Sequence, residues 1–317
     1  MSGERKIRVG VIGVGHVGQH HARIYRALPG VELAGIADSD VARLQEVESL
    51  VGVSAFRDYR ELLGRVDGVS IAVPTHLHAL IARECLERGL DVLIEKPLAE
   101  TLQEAEELTD LAKRQGRILQ VGHVERFNGA VRALHRIVKA PGFMECHRLS
   151  PFPFPQRGTD VDVILDLMIH DIDIILSLVK SPVSQVSAVG VPVLSNRVDI
   201  ANARLEFSSG CVANVTASRV SVERLRKIRI FQPDTYISLD YASQEITLFR
   251  RLPGDPTSHP PQPPQIIREE VVVEKEEPLR LELMSFLSCV RERTRPEVSG
   301  EEAVEALRVA SQILAKM

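Results

Sequence analysis

Two short segments carry acid–base side chains at spacings that suit chemistry on a hydroxyl group. Glu95-Lys96-Pro97 places an ammonium before a proline, which favours extended backbone at Lys96. Asp166 and His170 lie four residues apart in an apolar stretch, so on a helix both project from one face. Lysine can stabilise a developing alkoxide, and histidine can accept a proton near neutral pH. Taken alone, each segment also fits an ordinary surface ion pair, so the chemistry depends on the elements that position it.

The N-terminal segment has the pattern of a dinucleotide-binding turn. The apolar run 7–12 leads directly into Gly13-x-Gly15-x-x-Gly18. In this pattern the first glycine permits a tight turn, the second lets the backbone approach a pyrophosphate, and the third allows close packing of helix on strand. The N–H groups at the start of the following helix, with His16 and Val17 in the turn, would then bind the phosphates.

Asp38 indicates which dinucleotide is bound. It ends the apolar run 31–37, twenty residues beyond Gly18, where a carboxylate can accept hydrogen bonds from a ribose diol. A 2′-phosphate would be repelled there, and no arginine follows immediately. The sequence therefore predicts NAD(H) rather than NADP(H) as the cofactor.

Composition indicates an ordinary globular protein with a large core. The 317 residues are 44% hydrophobic and 26% charged, with a net charge of −4. This charge gives no electrostatic case for binding nucleic acid or an anionic membrane, and no segment is long and apolar enough to span one. The four cysteines have no metal-ligand spacing, so we expect reduced thiols in a cytoplasmic protein and no metal site.

The pattern of predicted elements divides the chain at about residue 123. Residues 1–123 alternate strands and helices, which predicts an α/β Rossmann domain with a doubly wound parallel sheet. Its strands are predicted at 7–12, 31–37, 69–73, 91–94 and 118–121, with helices at 77–88 and 102–114. Ligands of such sheets bind at the carboxyl ends of the strands.

Residues 124–317 predict an α+β domain with an open, mostly antiparallel sheet. A helical link near 128–139 and a long apolar helix over 160–179 precede the strands, and two helices, at 279–293 and 301–316, end the chain. The strands are predicted at 183–193, 200–207, 211–218, 227–231, 236–239, 245–249 and 266–273, with a proline-rich surface loop over 252–265.

Four motifs occur together in an order that resembles the glucose–fructose oxidoreductase / inositol dehydrogenase (Gfo/Idh/MocA) family. They are the glycine turn, Pro74-Thr75-x-x-His78, Glu95-Lys96-Pro97 and Asp166-x-x-x-His170. The resemblance implies an NAD-dependent oxidoreductase of sugars or cyclic alcohols, in which Lys96 and His170 are catalytic partners and Asp166 holds the substrate or tunes the histidine. It also implies that the segment 74–78 and Glu95 lie along the cofactor.

A narrower resemblance, to the branch that oxidises the 3-hydroxyl of UDP-N-acetylglucosamine, rests on Gly122-His123-Val124-Glu125-Arg126-Phe127-Asn128 and on Arg157. It implies that Arg126 and Arg157 meet the diphosphate or the sugar, and that Asn128 meets a sugar hydroxyl or acetamido group. Interdomain ion pairing is the alternative for the two arginines.

Two other functions remain open from the sequence. The same chemistry could act on a free sugar, an inositol or another cyclic alcohol, and the fold could serve a non-catalytic, NAD-responsive regulator. We expect a cleft between the domains to hold the substrate. We also expect a homodimer or homotetramer formed through the second-domain sheet, since an apolar sheet face left in water is costly.

Overall fold

The computed structural model describes residues 5–152, 161–254, 257 and 262–317. They fall into two compact units, each made of two chain segments. The first unit contains the residues up to Val124 and Glu277–Glu305, and the second contains Glu125–Glu276 and Ala306–Met317. No helix in the described ranges combines the length and the hydropathy that a membrane crossing requires.

The first unit is built on a six-stranded parallel sheet with the strand order β3-β2-β1-β4-β5-β6. Its strands are β1 (Ile7–Ile12), β2 (Val31–Ala37), β3 (Ala55–Phe56), β4 (Gly68–Ile71), β5 (Asp91–Glu95) and β6 (Leu119–Gly122). Its helices are α1 (Gly18–Ala27), α2 (Val41–Val51), α3 (Arg60–Leu63), α4 (His78–Glu87) and α5 (Leu102–Gln115). The strand order reverses between β1 and β4, which is where doubly wound sheets bind dinucleotides. The predicted parallel Rossmann sheet is confirmed.

Residues 277–305 belong to the first unit, whereas the sequence prediction placed them in the second domain. These residues include helix α8 (Pro278–Glu292), which packs in the core of the first unit. Its Leu283 and Phe286 are fully buried in the same core as Val9 and Val11 of β1. An amphipathic helix at the end of a chain can cover either sheet, and its periodicity does not say which.

The second unit contains an eight-stranded, mostly antiparallel sheet with the order β14-β13-β12-β11-β7-β10-β9-β8. Its strands are β7 (Phe143–Leu149), β8 (Val183–Val191), β9 (Ile200–Phe207), β10 (Val212–Ser218), β11 (Leu225–Gln232), β12 (Thr235–Asp240), β13 (Glu245–Leu252) and β14 (Gln265–Glu270). Only the pair formed by β7 and β10 is parallel among these strands. The predicted open antiparallel sheet is confirmed, and part of the predicted loop 252–265 lies outside the described residues.

Strand β7 lies in the middle of this sheet and was not predicted. Its buried positions are Met144, Cys146 and Arg148, so a charged residue occupies the core face. A strand is predicted from alternating apolar and polar residues, and Arg148 breaks that alternation in β7.

One face of the second sheet packs against helices. These are α6 (Gly129–Ile137), a π-helical turn (Ile164–Met168) that continues into α7 (Ile169–Val179), and the end of α9 (Gly300–Leu314). The helix predicted over 160–179 therefore begins at Ile164, and residue 160 lies outside the described residues. Asp166 is in the π-helical turn and His170 is in the first turn of α7.

Candidate active site

The glycine turn of the first unit has the conformation that the sequence predicts. Gly13 has φ +84°, and a Cβ there would lie 2.5 Å from the carbonyl oxygen of Ala72. A Cβ on Gly18 would collide with the carbonyl oxygen of Gly13. By contrast, a Cβ on Gly15 would meet no atom within 4 Å. The outer glycines therefore permit the turn, and the middle one leaves its surface open to a ligand.

The turn leads into a helix whose N-terminus can receive an anion. Val17 provides no side-chain cap for α1, and the first turn of α1 has no acidic residue. Val17 and the neighbouring His16 are exposed. A cavity of about 490 Å³ lies beside the turn, and its lining includes Gly13, Gly15, Asp38, Arg57, Arg60 and Pro74. An uncapped helix N-terminus, open backbone and a cavity are the features that a dinucleotide diphosphate requires.

Asp38 braces the glycine turn and faces the same cavity. Its Oδ2 accepts the backbone N–H of Val14 at 2.8 Å, and its Oδ1 accepts that of Asp40 at 2.9 Å. A carboxylate has about four acceptor positions, so both oxygens can still accept ribose hydroxyls. The arrangement fits the predicted ribose contact.

The segment 74–78 is a 3₁₀ turn over Thr75–Leu77 that leads into α4. Pro74 is exposed and lines the cavity, and Thr75 is half-buried. His78 is buried, with Nδ1 2.8 Å from the carbonyl oxygen of Pro97 and Nε2 2.9 Å from that of Val73. Burial lowers the pKa of His78. His78 thus holds together the segments that follow β4 and β5, and direct contact with a cofactor stays a prediction.

Glu95-Lys96-Pro97 ends β5 at the carboxyl edge of the sheet, as predicted. Lys96 is half-buried, and the Lys96–Pro97 peptide is cis. Oε1 of Glu95 lies 3.1 Å from Nε2 of His21 on α1. Burial alone would raise the pKa of Glu95, but the His21 hydrogen bond and the nearby charges of His21 and Lys96 lower it. The carboxylate next to Lys96 is therefore held inside the unit rather than exposed along its surface.

In the second unit, Asp166 and His170 are both half-buried, which leaves part of each side chain accessible. Two further carboxylates of α7, Asp171 and Asp173, are buried. Each has an arginine partner inside the unit.

Arg148 of β7 is that partner for Asp171. Its Nε and Nη2 donate to the two carboxylate oxygens of Asp171 at 2.7 and 3.1 Å, and its Nη1 donates to Glu125 at 3.1 Å. Burial opposes the charge of Arg148, but the Asp171 carboxylate raises its pKa above the usual value. The pair ties the first turn of α7 to the middle of the sheet and so fixes the backbone that carries His170. Sequence reasoning missed Arg148, because a lone arginine in an unrecognised strand gives no signal.

Arg126 and Asn128, two of the three residues predicted to contact a sugar nucleotide, bind other residues of the protein. Arg126 is buried and its Nη1 lies 3.4 Å from Oδ1 of Asp173. Asn128 is buried and caps α6, with its side chain bonded to the N–H of Ala130 and the carbonyl oxygen of Tyr241. Their contacts with substrate stay predictions. Arg157 lies outside the described residues.

Comparison with known proteins agrees with both units. The profile of the GFO_IDH_MocA oxidoreductase family, described as an NAD-binding Rossmann fold, matches residues 7–123. The profile of the GFO/IDH/MocA C-terminal domain matches residues 140–234. The chain belongs to the Gfo/Idh/MocA oxidoreductase family. Its first unit is accordingly an NAD-binding Rossmann domain, and the family resemblance of the sequence motifs is confirmed.

Individual members of the Gfo/Idh/MocA family are similar to this chain to different extents. A UDP-N-acetylglucosamine 3-dehydrogenase of Acidithiobacillus ferrooxidans is 36% identical over 97% of this chain and 96% of that protein. A solved structure of the enzyme of that name and organism has a TM-score of 0.90, with 98% of both chains covered. A scyllo-inositol 2-dehydrogenase of Bacillus subtilis is 30% identical over 69% of each chain.

Proposed function

We propose that this protein is an NAD-dependent dehydrogenase that oxidises the 3-hydroxyl of UDP-N-acetylglucosamine. The observation that carries the proposal is the 36% identity to an enzyme of that activity along nearly the whole length of both chains. Similarity of that extent includes the second unit, which carries His170 and Arg126, as well as the cofactor-binding unit. Inositol dehydrogenases are similar to a lower degree: the Bacillus subtilis enzyme is 30% identical over 69% of the chain, and a myo-inositol 2-dehydrogenase of Thermotoga maritima is 27% identical over 95%.

We assign the cofactor to the glycine turn, Asp38 and the segments after β4 and β5. The open surface at Gly15, the uncapped start of α1 and the adjacent cavity fit a diphosphate, and Asp38 fits a ribose diol. NAD⁺, when bound, supplies the acceptor for the hydride that leaves the alcohol carbon.

The chain itself supplies proton transfer and alignment. His170 accepts the proton of the substrate hydroxyl, and Lys96 donates a hydrogen bond that stabilises the alkoxide as it forms. Asp166 orients His170 or the sugar. The reverse assignment, with Lys96 as the base, describes the same coupled pair, because the two groups exchange protons with one oxygen. The products are the 3-keto sugar nucleotide, NADH and one proton.

Substrate recognition is assigned to Arg157 for the diphosphate, because a guanidinium binds phosphate oxygens bidentately. Arg126 and Asn128 are assigned to the sugar end. Their existing partners, Asp173 and the N-terminus of α6, hold the segment from which they would act.

A substrate panel at fixed NAD⁺ tests the proposal. UDP-N-acetylglucosamine, free N-acetylglucosamine and myo-inositol are each incubated with the protein, and the absorbance of reduced nicotinamide is followed. The proposal expects NADH only, or at least about a hundredfold faster, with the sugar nucleotide, because the diphosphate contributes binding energy that free sugars lack. Faster turnover of inositol or free sugar would overturn the substrate. No turnover of any alcohol, with NAD binding intact, would overturn the enzyme.

We also propose that the second sheet mediates homo-oligomerisation through its outward face. A row of aromatic rings crosses four strands there: Phe143 to Phe231 at 5.7 Å, Phe231 to Tyr236 at 5.1 Å, and Tyr236 to Phe249 at 6.2 Å between centroids. Phe231 and Phe249 are 39% and 37% exposed. Light scattering after size exclusion tests this: we expect a dimer or tetramer, and a monomer at micromolar concentration would contradict it.

A further inference from the structure

Three acid–base side chains meet inside the Rossmann unit, and none of them lines the cavity beside the glycine turn. They are His21 of α1, Glu95 at the end of β5 and Glu282 of α8, and one ligand-type atom from each lies within 4.8 Å of the others. His21 and Glu282 are fully buried, and the Glu95 side chain is 16% exposed. The catalytic mechanism proposed above uses neither His21 nor Glu282.

The hydrogen bonds of this cluster leave one carboxyl group without a donor. Nε2 of His21 lies 3.1 Å from Oε1 of Glu95, whereas neither oxygen of Glu282 has a hydrogen-bond partner among the described residues. The nearby amide of Gln120 donates to the backbone carbonyl of Glu282 instead. An ionised carboxylate buried without donors is strongly disfavoured, and two such carboxylates side by side more so.

We propose that Glu282 is held as a neutral acid beside the carboxylate of Glu95. Glu95 then carries the single negative charge of the pair and keeps its hydrogen bond to His21. In this role Glu282 is a positioning residue for Glu95 and Lys96 at the end of β5. Its link to catalysis rests on the proposed function, but its protonation does not.

The charges around the pair are consistent with this assignment. Burial and the adjacent charge of Glu95 both raise the pKa of Glu282 well above its usual value. The other titratable groups facing the pair are His21, Lys96 and His78 around Glu95, and Tyr25 of α1 near Glu282. The lysine among them lies on the Glu95 side, so the negative charge is most stable there.

A bound divalent cation is the competing explanation for the same three side chains. A metal bound at Nε2 of His21 would replace the hydrogen bond to Glu95. A single proton on Glu282 removes one of the two negative charges without breaking that bond. The two explanations predict different results when Glu282 is made permanently neutral.

Infrared spectroscopy of the full-length protein without substrate tests the proton directly. We expect a carbonyl band of a protonated carboxylic acid that shifts in D₂O, persists at pH 7, and disappears in Glu282→Gln. The matched control, Glu292→Gln on the exposed side of α8, retains the band. Absence of the band in the wild type at pH 7 would overturn the proposal. So would one equivalent of divalent metal in the purified protein that is lost in Glu282→Gln.

The pH dependence of turnover tests the positioning role separately. Glutamine mimics the neutral acid, so Glu282→Gln should keep kcat within about threefold and leave the limbs of its pH profile in place. Glu282→Leu removes the polar group beside Glu95 and should lower kcat about tenfold with a displaced profile. A displaced pH profile in Glu282→Gln would mean that Glu282 is negatively charged in the wild type, and it would contradict the proposal. If Glu282→Leu does not fold, Glu282→Gln alone decides.

Discussion

Arg148 and Asp171 form a bidentate ion pair from which water is almost wholly excluded. Their side chains are 4% and 0% exposed, and the two N···O distances are 2.7 and 3.1 Å. The pair joins the strand in the middle of the second sheet to the turn of helix that carries His170. A buried pair of this kind contributes little net stability while intact, but removing one member leaves the other charge unsolvated.

Asp171→Asn is therefore expected to lower the free energy of unfolding of the second unit by about 3–5 kcal/mol, because Arg148 stays charged and buried. Urea unfolding, followed by a probe in that unit, measures the loss. Arg229→Gln is the matched control, since Arg229 pairs with Glu145 of the same strand but is 41% exposed. Its expected cost is below about 1 kcal/mol. Equal losses in the two variants would contradict the assignment.

Replacement of the glycines in the turn should separate folding from cofactor binding. Gly15→Ala adds a methyl group that meets no protein atom, so thermal stability should stay unchanged while the Kd for NAD⁺ rises about tenfold or more. Gly64→Ala, also without contacts for the new methyl group, should change neither quantity. Gly13→Ala should lower thermal stability and raise the Kd for NAD⁺, because Gly13 has positive φ and its Cβ would strike Ala72. Calorimetric titration and thermal melts give the two readouts, and unaltered NAD⁺ binding in Gly15→Ala would contradict the site.

Asp38→Asn should relax the choice of cofactor. Removing the charge lessens repulsion of a 2′-phosphate, and Arg57 and Arg60 line the same cavity. We expect the ratio of kcat/KM for NAD⁺ over NADP⁺ to fall by about ten- to a hundredfold. The control is Asp40→Asn, which changes an exposed N-cap of α2 that asparagine also satisfies. A ratio that is unaltered in Asp38→Asn would count against a ribose contact.

Glu282→Gln should change how stability depends on pH. A carboxyl group whose folded pKa is raised contributes fully below its unfolded pKa of about 4.3, and that contribution is lost as pH rises toward the folded pKa. Each unit of elevation corresponds to about 1.4 kcal/mol. The variant should therefore match the wild type near pH 4 and exceed it in free energy of unfolding at pH 8. Parallel stability curves for the two proteins would contradict a raised pKa.

The sequence predicts the two sheets well because the strands of the first are mostly apolar runs, and those of the second mostly alternate apolar and polar residues. It misses β7 because Arg148 occupies a core position, and it misses β3 because two residues give no periodicity. The burial of Asp171 and Asp173 is not predictable from the sequence, since a buried charge is recognised only with its partner. The residues of the glycine turn follow from local chain geometry and are predictable. The cluster of His21, Glu95 and Glu282 cannot be predicted in this way, because its members are up to 261 positions apart in the sequence.

The proposed mechanism depends most on Lys96 and His170 acting together on one hydroxyl group. Single-turnover formation of NADH from UDP-N-acetylglucosamine, measured for Lys96→Met, His170→Ala and the double variant at saturating NAD⁺, tests this. We expect each single change to slow the step by about a hundredfold or more, and the double change to cost little beyond the slower single one, because residues acting as a unit are non-additive. Cofactor affinity should stay within about threefold of the wild type. Losses that multiply, or near-normal rates in either single variant, would contradict the claim.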